Sequence, residues 1–132
     1  MGIGMMRLGV ALACLLSTAA AAQTVMDQSD KAISAADMRV LREAMKARLL
    51  DPYGAQIESL KIVVPGRICG RVNAKNKLGG FLGFRAFGLD LNTGTLSIEP
   101  DGETEGKGQD QLNAEIGDLY SIKAACSTGR AP

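Results

Sequence analysis

The chain has no histidine and no tryptophan, and its aromatic residues are two tyrosines and three phenylalanines. Without histidine, neither a Ser-His-Asp nor a Cys-His catalytic arrangement can be built. A zinc site would lack its commonest nitrogen ligand as well. An excess of charge of one sign is also missing, since 15 lysines and arginines face 14 acids. A nucleic-acid-binding domain normally carries a basic surplus, so no nucleic-acid partner is expected. The longest apolar run, Leu8 to Leu16, falls short of the ~20 residues that a membrane-spanning helix needs. No repeat at a solenoid period is visible.

What is present begins with that same run. Arg7, the apolar stretch and the small residues Ser17 to Ala22 follow the three-part layout of a secretory signal peptide, with cleavage expected after Ala20-Ala21-Ala22. Residues 1–22 are therefore expected to be removed on export, leaving a periplasmic or secreted chain with no transmembrane segment. Lipoprotein anchoring at Cys14 is not favoured, because Leu12 stands one place too late for a lipidation signal and the apolar run continues beyond the cysteine. Loss of Arg7 brings the basic and acidic residues into balance.

Two cysteines remain after cleavage, Cys69 and Cys126. An even pair in an exported chain reads as a disulfide. Closing a loop of that length contributes about 4 kcal/mol by chain-entropy reasoning. In a single small domain, whose total stability is of order 5–15 kcal/mol, that is a large share. A reactive thiol or a metal pair would need supporting ligands that the sequence does not offer, and no cofactor is expected.

Residues 23–29 read as a mobile polar leader, 30–126 as one domain and 127–132 as a tail. From Asp30 the pattern turns helical, with Ser34 and Asp37 spaced as a capping box and Leu41, Met45 and Leu49 along one face. Pro52 should end this helix near Leu50. Ile57 to Val64, Ile68 to Lys75, Phe81 to Leu91 and Thr95 to Ile98 read as strands, separated by Pro65-Gly66, a Lys75 to Gly80 reversal and Asn92-Thr93-Gly94. Asp110 is placed to cap a last helix on which Leu112, Ile116, Leu119 and Cys126 share one side. The expected fold is α+β: a small antiparallel sheet of three to four strands flanked by an N-terminal and a C-terminal helix on one side, held by one disulfide.

Motifs that carry chemistry are sparse. Glu99, Asp101, Glu103 and Glu105 form a dense acidic group that admits a small-hydrolase reading through paired carboxylates. No apolar residues lie nearby to raise a carboxyl pKa, so a solvated loop is favoured. Asp101 to Gly106 imitates the start of a calcium loop, but Leu112 occupies the place that requires a bidentate Glu. Lys75 to Gly80 has its lysines and glycines in the wrong order for a phosphate loop. Gly80-Phe81-Leu82-Gly83 has apolar residues where a nucleic-acid clamp would have polar ones.

Charge is unevenly distributed. Lys61, Arg67, Arg71, Lys75, Lys77 and Arg85 follow one another with no acid between them, while Asp90 to Asp118 is strongly acidic. The basic stretch reads either as a docking surface for an acidic partner or as a patch neutralised by the acidic loop folding over it. Arg71, Asn73, Lys75, Lys77 and Arg85 are the candidate partner-binding residues. Asn76 reads as turn chemistry.

The motif Cys69-Gly70-Arg71-Val72-Asn73-Ala74-Lys75-Asn76, followed by Gly79-Gly80-Phe81-Leu82-Gly83-Phe84-Arg85-Ala86-Phe87 and preceded by Asp51-Pro52-Tyr53-Gly54-Ala55-Gln56, resembles a family of small secreted or lipoprotein-type proteins of Gram-negative bacteria. The resemblance runs from about Leu41 to Cys126. It implies an exported location and a late cysteine, and carries over no activity. Arg71 departs from the family, which often has an acid there, as does Gly54, where a serine is common. Together these features lead to the expectation of a non-catalytic interaction module of the cell envelope, with another envelope protein or an acidic polymer as partner. A polyanion-, glycan- or peptidoglycan-associated binding protein using the same patch is the alternative.

Overall fold

The computed structural model describes residues 23–127. The signal-peptide reading of 1–22, including Cys14, lies outside them, as does the tail beyond Ser127. Helix α1 spans Ala35–Arg48. Its expected cap forms, with the Asp37 N–H donating to Ser34 Oγ at 3.1 Å, and this satisfies one of the orphan donors of the first turn. Met38, Leu41 and Met45 are buried along one stripe, the spacing that points side chains to the same face. Leu49 then leaves the helix in an extended conformation, three residues before Pro52.

The sheet has five strands in sequential order: β1 (Thr24–Val25), β2 (Gln56–Val64), β3 (Arg67–Lys75), β4 (Phe81–Asp90) and β5 (Thr95–Ile98). Strands β2 to β5 form an antiparallel meander. The Asn92-Thr93-Gly94 turn forms as expected: Asp90 accepts the Asn92 N–H on its carboxylate (2.8 Å) and the Gly94 N–H on its carbonyl (2.8 Å). Helix α2 runs Gln109–Cys126.

Three expectations need correcting. The supposed mobile leader is part of the fold. Thr24 and Val25 pair in parallel with Gln56 and Ile57, and the Arg42 guanidinium donates to the Gln23 carbonyl at 2.8 Å. A 3-10 turn follows at Ser29–Ala32. The sheet therefore has five strands and is mixed, where three or four antiparallel ones were expected.

The helices also do not share a side. Ile68, Val72, Phe87, Leu89, Leu96 and Ile98 form a single apolar cluster with Leu41 and Met45 of α1. Cys69 is the strand neighbour of Ile68 and so points to the other face, where it bonds Cys126 of α2. That disulfide has a Cα–Cα separation of 5.9 Å. The sheet is thus sandwiched, with α1 on one face and the last turn of α2 on the other.

The third correction concerns α2 itself. Leu112, Leu119 and Cys126 turn inward as expected, but Ile116 is 51% exposed. The inward stripe instead includes Glu115 and Asp118, which reach Lys107 (2.8 Å) and Arg48 (2.7 Å). The Asp118 pair ties α2 to the end of α1.

Two glycines make this packing possible. A Cβ on Gly70 would lie 2.9 Å from the Phe87 ring and 3.0 Å from Leu60, and one on Gly88 would lie 3.2 Å from the Cys126 sulfur. Gly70 lets the Phe87 ring cross the strand, and Gly88 leaves room for the disulfide.

Candidate functional site

The five candidate residues all lie on the β3–β4 hairpin, but the structure does not gather them into one basic patch. Arg71 pairs with Glu58 on the neighbouring strand (2.9 Å) and sits over the Phe84 ring at 5.5 Å. Lys75 pairs with Asp51 (3.4 Å) and sits over Phe81 at 5.4 Å. Arg85 is opposite Val72 in the register, hence on the α1 face, away from Arg71. Its guanidinium donates to the Glu99 carbonyl at 3.0 Å, while its Nε is buried without a hydrogen-bond partner. Lys77 is exposed and makes no ion pair among the described residues.

Asn73 is 9% exposed and structural in its contacts. Its amide donates to Gln56 Oε1 (3.1 Å) and its carbonyl oxygen accepts the Gly83 N–H (2.9 Å). Gly83 has a φ of 94° and stands where the β3–β4 register shifts. A glycine tolerates that left-handed angle, and Asn73 supplies a partner for the amide displaced from the ladder.

The reversal itself is tightly knit. Asn76 Oδ1 accepts the N–H groups of both Leu78 and Gly80, each at 3.0 Å. The Asn76 N–H donates to the Gly80 carbonyl (2.8 Å), and the Gly79 N–H donates to the Asn76 carbonyl (3.0 Å). Asn76 therefore serves the turn, as expected. The loop raises Leu78 almost wholly into solvent, at 93% exposure, with Phe81 at 46% and Leu82 at 38% beside it. Sequence reasoning missed this apolar tip because it sought charge on the hairpin. The signal was present in Leu78-Gly79-Gly80-Phe81-Leu82, where apolar residues flank the glycines of a turn.

Leu78 and Leu82 line an open cleft of about 580 Å³ together with Leu50 at the end of α1 and with Glu103 and Glu105 of the acidic loop. The acidic loop covers only part of the basic stretch. Lys107 ties it down through Asp101 (2.7 Å) and Glu115 (2.8 Å). The Lys107 hydrogen bond is the main reason the Asp101 carboxyl titrates below its ordinary value, and the same two acids push the Lys107 ammonium above its own. Glu99 is turned inward and accepts the Ala86 N–H at 3.1 Å. Glu103 and Glu105 remain exposed. Among the described residues, no group of three or more His, Cys, Asp or Glu side chains converges to hold a metal ion. Nor, among them, is any helix long and apolar enough to cross a membrane.

No family model, curated protein or solved structure matches this chain.

Proposed function

We propose that this protein is a non-catalytic interaction module exported to the bacterial cell envelope, and that the β3–β4 hairpin tip is its contact surface. One observation carries the assignment: Leu78 is 93% exposed on a turn whose backbone is bonded to itself. A single exposed leucine would be ordinary, but Leu78, Leu82 and Leu50 border one cleft, and a cluster of exposed apolar side chains on a self-bonded turn favours contact with something else. Phe81 is half-exposed at the start of β4. The Cys69–Cys126 disulfide supports an oxidising compartment. The alternative, a polyanion or glycan binder using Arg71 and Lys75, would need those cations free, and each already has a carboxylate partner.

A photo-reactive residue placed at position 78, compared with one at Ile116, an exposed apolar residue of α2, tests the proposal in intact cells. Adducts are expected at 78 and not at 116. Adducts at 116 with none at 78 would remove the hairpin from the account.

A further inference from the structure

The tip has a second property that bears on what it touches. A polar backbone group that enters an apolar phase must already be hydrogen-bonded, because no water is there to replace a missing partner. At the tip the N–H groups of Asn76, Leu78, Gly79 and Gly80 are all bonded within the hairpin, two of them to the Asn76 side chain. Such a turn can leave water without stranding these donors. Its exposed side chains, Leu78, Phe81 and Leu82, are aliphatic or aromatic. Lys77 stands exposed beside Leu78 with no ion-pair partner among the described residues, while Lys75 sits over the Phe81 ring and is paired with Asp51. Glu103 and Glu105 line the cleft from the acidic loop, so an anionic surface is met by the hairpin and repelled by the loop.

Resting on the reading of the hairpin as the contact surface, we propose that its partner is an anionic phospholipid surface. Leu78, Phe81 and Leu82 enter the boundary between headgroups and acyl chains, while Lys77 lies level with the phosphates. Lys side chains suit that position because their stems remain in the apolar layer while the ammonium stays wet. With one small apolar tip and one cation free of a carboxylate, binding is reversible and salt-sensitive.

Flotation of the purified protein with vesicles of phosphatidylglycerol mixed with phosphatidylcholine, and with vesicles of phosphatidylcholine alone, tests the inference. The protein should float with the mixed vesicles, less with the neutral ones, and less as salt is raised. Leu78→Ser should lower the partition coefficient about tenfold, and Lys77→Gln about fivefold. Both positions are exposed, so neither change disturbs the fold. Equal flotation with both vesicle types, or a Leu78→Ser variant that floats like the parent, overturns the lipid assignment. If protein adducts then form from position 78 in intact cells, the hairpin remains the contact surface and only its lipid partner is lost. If no adduct forms there either, both readings fall together.

Discussion

The β3–β4 hairpin is secured at its base by the rest of the molecule and at its tip only by itself. At the base, Ile68, Phe87 and Leu89 are fully buried against α1, and Cys69 is bonded through the opposite face to α2. At the tip, Asn76 holds the turn with its own side chain while Leu78, Phe81 and Leu82 face outward. The same two strands thus run from a region where every side chain contributes to folding into one where three large apolar groups contribute little. A core explains the first arrangement. The second is what the proposed contact surface rests on, because isolated exposure is common on proteins but clustered exposure on a stiffened turn is not.

The largest effect should come from cutting the base loose. Replacing both Cys69 and Cys126 by alanine should lower stability by about 4 kcal/mol in urea unfolding, while leaving contact at the tip intact wherever the variant is still folded. A loss of tip contact in the folded variant would mean that the two ends are coupled. Next is Gly70→Val, which forces a side chain against Phe87 and Leu60. Overpacking of this kind costs about 1–3 kcal/mol, and an unchanged unfolding midpoint would show the base to be looser than described.

A pH titration touches both ends. Asp90 at the base is held below its ordinary value of 3.8 first by the Asn92 N–H, and Asp51 beside the tip first by the Gly54 N–H and then by Lys75. A carboxyl whose folded pKa is depressed contributes stability above its unfolded value, and that contribution disappears as pH falls through the folded one. Stability should therefore be flat through neutral pH and decline below about pH 4. Asp90→Asn should blunt that decline, which monitoring thermal unfolding against pH would reveal. The smallest effect on folding is expected from Leu78→Ser, within about 0.5 kcal/mol of the parent. A substantially larger loss would mean that Leu78 is not free of the core.

Much of the fold was legible because it depends on local patterns. Ser34 with Asp37 marked the start of α1, Pro52 its end, the alternation along β3 its two faces, and Asn92-Thr93-Gly94 a turn. The disulfide followed from the cysteine count. What escaped depends on contacts across the molecule. Two residues cannot show a strand period, so β1 was invisible without Ile57 and Arg42 to hold it. Glu115 and Asp118 lay outside the face expected from Leu112, Ile116, Leu119 and Cys126, yet they turn inward to pair with Lys107 and Arg48. The basic hairpin looked like one patch because strand alternation places Arg71 and Lys75 together. The sequence did offer the acidic loop as a cover for this stretch, and Arg85 lies beside it, but nothing said that Glu58 and Asp51 would reach Arg71 and Lys75 from neighbouring elements.

Amide spectra of the purified protein, recorded before and after addition of a detergent-free envelope extract, test the contrast between the two ends most directly. Signals from Lys75 to Leu82 should broaden or shift, while those of Ile68, Cys69, Gly88 and Leu89 stay in place. Changes confined to the base of the hairpin or to α2, with a silent tip, would contradict the account.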